Sequence, residues 1–198
     1  MEGQKPQSQK RPQGFLIALR QFIADRRGVG AVEFALIAPL LLSLYITSFE
    51  LTIGFSVSKR VTHSADTIAD LVAREASVNK AFLATMPHLA ASIFVPYTAH
   101  DPSIKVTGVA IDADGNPTVA WSWQNGGGAP YAVGSPVYVP EKMRLASSFL
   151  IRSEVLVKHD LLMFMSGLVP TSLQEIPISQ EFFYRQRFGD SISCTDCG

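Results

Sequence analysis

The feature that most constrains this chain is a stretch of 30 residues, 29–58, that carries only two charges, Glu33 and Glu50. Between them, residues 34–49 form an uncharged run of 16. A helix needs roughly 20 apolar residues to cross a bilayer, so the stretch spans one if Glu33 and Glu50 sit near opposite interfaces. A cleavable secretory signal is the competing reading. Its apolar region usually has about 7–15 residues and closes on a small-x-small site. The run here is longer, and residues 43–55 lack a clear Ala-x-Ala, which favours an uncleaved span. Pro39 would be a liability for a helix in water but is tolerated as a kink inside a membrane.

Net charge is formally zero, yet it is unevenly divided. Residues 1–28 hold six basic side chains (Lys5, Lys10, Arg11, Arg20, Arg26, Arg27) against two acidic ones (Glu2, Asp25), which leaves the remainder acidic. A basic flank held in the cytoplasm, with the far side exported, has this pattern. No basic patch interleaved with aromatics appears, so no nucleic acid is expected as a partner. Residues 1–13 are polar and expected to be disordered. Residues 14–27 place Phe15, Leu19, Phe22 and Ile23 at helical spacing, an amphipathic helix with a basic face suited to a membrane surface. The expected division is a basic cytoplasmic leader (1–28), a transmembrane helix (29–58) and an exported domain (59–198).

Beyond the span the helical pattern continues, with Val61, Ala65, Ile68, Ala69 and Val72 on one stripe. Pro87 is expected to end or kink the next helical segment, 80–93. After Pro96 the texture changes to strands. Residues 103–112 are rich in Ile, Val and Thr, 112–117 read as a turn, and 118–124 place Val119, Trp121 and Trp123 on one face, together an antiparallel hairpin. Residues 148–158 alternate, with Phe149, Ile151, Val155 and Val157 opposite Arg152, Glu154 and Lys158. Residues 176–184 repeat the pattern. The fold class expected is α+β: a long N-terminal helix continuing past the membrane, with an antiparallel sheet of about four strands packed on its exported half.

Little in the sequence argues for catalysis. The Gly-rich loop at 125–130 lacks the Gly-Lys-Ser/Thr of a phosphate-binding loop. The four histidines are scattered, and Ser64 and Asp66 near His63 point in different directions on a helix, so they make no triad. Glu141, Glu154, Glu175 and Glu181 fall on turns or outward strand faces. No enzyme activity, catalytic residue, cofactor or metal site is therefore expected. Cys194 and Cys197 are the two cysteines. One Cys-x-x-Cys supplies only half the ligands of a structural zinc site, and in an exported domain a local disulfide is the better reading. Glu33 stands apart. A carboxylate at mid-membrane costs about 2.5–3.5 kcal/mol on insertion scales, and intramembrane ionisable residues usually have a partner or a function. Six residues after Arg27, it could also snorkel to the cytoplasmic interface.

The stretch RRGVGAVEFALIAPLLLSLYITSFEL resembles the N-terminal segment of TadE-like proteins, pilin-like components of tight-adherence (Flp-type) pilus systems. HSADTIADLVARE is similar to the helix that follows the span in that family, SSFLIRSEVLVKH to a characteristic strand, and FYRQRFGDSISCTDC to a closing strand with its Arg-x-Arg and Cys-x-x-Cys. The likeness covers most of residues 26–75 and 146–197. It implies cleavage by a membrane prepilin peptidase after a glycine, leaving Glu at the fifth position of the mature chain. Gly28 fits that count, with Val29 as the new N-terminus and Glu33 as the fifth residue; Gly30 does not. The resemblance further implies that Glu33 pairs with the amino terminus of a neighbouring subunit and sets helix register. Larger relatives carry a metal-dependent adhesion domain whose Asp-x-Ser-x-Ser motif is absent here, residues 101–105 (Asp-Pro-Ser-Ile-Lys) failing at the last position. The function implied is that of a non-enzymatic minor pilus component in the bacterial inner membrane, its N-terminus cytoplasmic and its C-terminal domain periplasmic. Its implied partners are the peptidase, other pilin-like subunits, inner-membrane assembly proteins and the membrane itself. The alternative is a membrane-anchored periplasmic binding or sensory module with the sheet as a ligand platform.

Overall fold

The computed structural model describes residues 28–95, 97, 100–160 and 175–197. The amphipathic helix expected over 14–27 lies outside the described residues. The chain divides into two compact units, 1–48 and 49–198. Helix α1 runs Val29–Ala73, 45 residues, with Pro39 inside it. It is long and apolar enough to cross a membrane.

In the first unit none of residues 28–48 is buried. Phe34, Leu36, Leu40, Leu42 and Tyr45 are each more than half exposed, and their spacing carries apolar side chains around the whole helix. A helix apolar all round belongs in hydrocarbon. Its hydroxyls are consistent with that solvent. Ser43 Oγ donates to the Leu40 carbonyl at 2.9 Å, Thr47 Oγ1 to Ser43 at 2.8 Å and Ser48 Oγ to Leu44 at 2.9 Å. Each satisfies itself within the helix, as a hydroxyl must wherever water is absent.

In the second unit α1 becomes one-sided. Val57, Val61, Ala65, Ile68, Ala69 and Val72 are buried, the stripe expected from the sequence. After α1 come β1 (Ser77–Val78), α2 (Lys80–Leu83) and α3 (Met86–Phe94). Asn79 caps α2 by accepting from the Phe82 amide at 2.8 Å. The segment expected over 80–93 is thus two helices. Pro87 occupies the first turn of α3, where its missing N–H has no bond to lose.

The sheet comprises β2 (His100–Ile111), β3 (Pro117–Gln124), β4 (Ser148–Asp160) and β5 (Glu175–Arg185), in the order β3-β2-β4-β5 and antiparallel throughout. The fold is α+β. One sheet face (Ile104, Val106, Trp121, Trp123, Phe149, Ile151, Val155, Val157) packs with the buried stripe of α1 and with Leu83, Met86 and Phe94 in one core. Burying a side chain of the size of Ile or Phe contributes about 1.5–3 kcal/mol, so this face holds most of the domain's stability. The turn between β2 and β3 is built by Asp112, which accepts from the amides of Asp114 (3.0 Å) and Asn116 (2.7 Å) and from Asn116 Nδ2 (3.1 Å). Those bonds to its charged form hold the Asp112 carboxyl below its ordinary pKa.

Two features depart from simple alternation. Gly108 pairs with Trp121 but Val109 pairs with Val119, so β3 carries Ala120 as an extra residue. This bulge carries Val119 off the face of Trp121 and Trp123, which the sequence had placed together. The opposite sheet face also has a core of its own: Val109, Ile111, Leu150 and Phe183, covered by Val137, Val139 and Met143 from the segment between β3 and β4.

Gly108 is required by contact. A Cβ there would lie 2.4 Å from Trp121 Nε1, 2.5 Å from Trp121 Cε2 and 2.8 Å from Phe149 Cζ. Gly108→Ala is expected to destabilise the domain by about 1–3 kcal/mol through this overpacking. Urea unfolding followed by tryptophan fluorescence checks it, and a midpoint unchanged from the parent chain would refute the contact.

Candidate functional site

Polar chemistry and a fixed geometry come together at several places among the described residues. The first is the start of α1. Gly28 immediately precedes the helix, Val29 opens it and Glu33 lies one turn further on, so the side chains of Val29 and Glu33 share a face. Both residues are exposed, as is Gly28. A Cβ on Gly28 or on Gly30 would meet nothing within 4 Å. Among the described residues there is therefore no packing reason for either glycine.

The second lies just past the apolar run, within the second unit. His159, near the end of β4, brings Nε2 to 3.4 Å from Glu50 Oε1. The pair borders a cleft of about 420 Å³ lined by Leu51, Gly54, Phe55 and Ser58 of α1 and by residues 176–180 of β5. Sequence reasoning passed over it. Glu50 read as an interface marker and His159 as one of four scattered histidines, and only the packing of α1 beside β4 and β5 places them together.

The third is a clasp between the far end of α1 and the tail. The Arg187 amide donates to the Ala73 carbonyl at 2.9 Å, satisfying one of the acceptors a helix leaves open at its C-terminus. The Arg187 guanidinium pairs with Asp70, as does Arg74, and it lies 5.9 Å from the Tyr184 ring. A hydrogen bond from Tyr184 to Asp66 raises the phenol's pKa, with the charges of Asp66 and Asp70 acting the same way. Further along, β6 (Ser193–Cys194) pairs in parallel with β1. Asp196 Oδ1 accepts from the Lys80 amide at 2.8 Å, and Trp121 Nε1 donates to the Ile192 carbonyl at 2.7 Å. The sulfurs of Cys194 and Cys197 lie at disulfide distance, with Cα atoms 5.5 Å apart. Cys194, Asp196 and Cys197 form a compact group of potential metal donors. With the sulfurs at that distance and the Asp196 carboxylate engaged by the Lys80 amide, the tail is held against the start of α2.

Gly28, Val29 and Glu33 belong to the first unit, and Cys194 and Cys197 to the second. Ser64 is fully buried while His63 is exposed and contacts Thr67, so those neighbours do diverge on the helix. The Arg-x-Arg of the tail was visible in the sequence, but its acidic partner on α1 was not.

On the sheet face that carries the second core, Tyr131 from the loop after β3 donates to Glu154, with its oxygen 3.0 and 2.8 Å from the two carboxylate oxygens. Arg152 bridges Glu154 (3.2 Å) and Glu181 (2.7 Å). Burial and the Glu154 hydrogen bond push the Tyr131 phenol up. This network covers the sheet's polar rows and offers no free nucleophile.

A family model described as TadE-like protein matches residues 28–70. The match begins at Gly28, includes Val29, Glu33 and Glu50, and ends at Asp70. It bears out the resemblance over that stretch. No curated protein and no solved structure gives a match.

The clasp makes a pH prediction. The hydrogen bond from Arg74 holds the Asp70 carboxyl below its ordinary value, and the charges of Arg187 and Arg74 reinforce this against partial desolvation. A depressed carboxyl stabilises the fold above the unfolded pKa, near 3.9, and that contribution is lost as pH falls through the lower folded value. Asp70→Asn is expected to cost about 0.2–1 kcal/mol at pH 7, the range for solvent-exposed ion pairs. It should also flatten the acid limb of the stability curve below about pH 4. Urea unfolding at pH 7 and pH 3 measures both; an acid limb as steep in the variant as in the parent would refute the assignment.

Proposed function

We propose that this chain is a non-enzymatic, pilin-like minor component of a Flp-type pilus system. It is held as a single-pass protein in the bacterial inner membrane, with the N-terminus cytoplasmic and the second unit periplasmic. The observation that carries this reading is the TadE-like match over residues 28–70, which begins at the glycine that the count to Glu33 selects. The absence of any packing demand at Gly28 supports an external reader of that glycine, a prepilin peptidase. Cleavage of the Gly28–Val29 bond would free an α-amino group at Val29. Glu33, in an apolar layer, needs a cation, and the amine of a neighbouring pilin-like subunit supplies one. The pair sets the axial register of packed helices, as a buried polar residue does in coiled coils. The periplasmic domain then acts through surface contacts with other subunits and inner-membrane assembly proteins, with the Cys194–Cys197 staple bracing its tail.

The rival reading, a periplasmic ligand-binding module with the sheet as platform, has less support. One sheet face is packed against α1 and α3, and the other is covered by the segment 131–143 and its Tyr131 network.

Intact-mass measurement of the chain purified from membranes tests processing. A mature form beginning at Val29 is expected where the peptidase is present, and Gly28→Val should leave the heavier form. Identical masses with and without the peptidase would reject cleavage. Glu33→Gln should insert and be processed normally, yet lower the amount of assembled pilus by about tenfold or more, the effect of about 1.4 kcal/mol per subunit contact. Quantifying sheared pili by immunoblot reads this, and undiminished pili would reject the register role.

A further inference from the structure

Within the second unit, α1 shows three distinct sides as it leaves the apolar run. One is the buried stripe, and another borders the cleft of Glu50 and His159. The third consists of Ser56, Lys59, Arg60 and His63, at i, i+3, i+4 and i+7, so all four share one side of the helix. With Ile93 of α3 they line an open depression of about 590 Å³. No carboxylate lines it, and among the described residues no ion pair engages Lys59, Arg60 or His63.

The depression is built around Arg60. Its guanidinium donates to the Ile93 carbonyl at 2.6 Å and lies 5.3 Å from the Tyr97 ring centroid. A guanidinium has five donors, so this anchoring leaves others for a ligand. Lys59 and His63 flank it and are exposed. The height of the stripe also matters. Leu51 and Phe55 are 59% and 69% exposed, which extends the apolar surface one turn past Glu50. Lys59 follows Phe55 by one further turn, about 6 Å at 1.5 Å per residue. The headgroup layer adds about 5–7 Å to each side of the hydrocarbon core. Cations that begin one turn beyond the last exposed apolar side chain therefore stand at headgroup depth.

We infer that Lys59, Arg60 and His63 bind the phosphate headgroup of an anionic phospholipid in the leaflet from which the domain emerges. Arg60 supplies fixed donors, Lys59 a mobile positive charge and His63 a ring N–H, while Ser56, whose hydroxyl donates to the Thr52 carbonyl at 2.9 Å, lines the wall. The lipid would fix the rotation and height of α1 at the membrane surface. This inference rests on α1 crossing a membrane and not on the pilus role, because its readout is lipid retention and not assembly.

The test uses the full chain extracted in mild detergent and examined by native mass spectrometry with equimolar phosphatidylglycerol and phosphatidylcholine. The parent chain is expected to retain phosphatidylglycerol preferentially. Lys59→Gln should reduce that preference by about fivefold, the effect of about 1 kcal/mol for one basic residue near an anionic surface, whereas Lys59→Arg should keep it. Lys59 is exposed, so an unchanged unfolding midpoint accompanies both variants. Equal retention of the two lipids by the parent chain would overturn the inference and leave an acidic protein surface as the better ligand. An unchanged preference in Lys59→Gln combined with His63→Gln would overturn it as well. Inorganic phosphate at matched ionic strength separates the two sources of the anion. Persistence of the bound lipid supports a headgroup site, and its displacement by millimolar phosphate overturns the lipid assignment.

Discussion

The second unit is organised around a stripe that cannot be left in water: Val57, Val61, Ala65, Ile68, Ala69 and Val72 on one side of α1. The same helix, a few turns earlier, is apolar on every side. Both halves obey one rule, that apolar side chains leave water, and they meet it with different surroundings. The first half is long and apolar enough for hydrocarbon to serve it. For the second, the sheet face of Ile104, Val106, Ile151 and Val155 has to be brought over the stripe. The bulge at Ala120, the glycine at 108 and the clasp at Asp70 are local adjustments that let this packing close.

Much of this was legible because period and burial coincide. The stripe on α1 repeats at helical spacing, and in β4 Phe149, Ile151, Val155 and Val157 alternate with Arg152, Glu154 and Lys158. The Asp112 turn sits between two alternating runs, so the hairpin could be located before its register was known. Legibility failed where burial follows no period. Val119 reads in phase with Trp121, and only the ladder shows the extra residue between them. Leu150 and Phe183 sit on the side of their strands that otherwise carries charge, because an irregular segment containing Val137 and Val139 covers that side. Two-residue strands such as β1 and β6 have no period at all.

At the candidate site the balance is different. The importance of Gly28, Val29 and Glu33 came from counting along the chain together with a family likeness. The described fold adds a negative fact, that no neighbour within the chain requires a glycine there. The pairing of Glu50 with His159 and of Asp70 with Arg187 depended on long-range register, which no local window contains. Charges that find partners more than a hundred residues away look, in sequence, like ordinary solvated charges.

That separation has a consequence for how the molecule is made. Arg187 reaches back 117 residues to Asp70, and its amide closes the end of α1. Contacts so distant in sequence form late, because the entropy of closing the intervening loop is lost before any contact is gained. During synthesis the end of α1 and its apolar stripe must therefore wait, unpaired, while β2 to β5 are delivered. Synthesis and folding become a single ordered process, in which the first part of the domain to be made is among the last to be sealed.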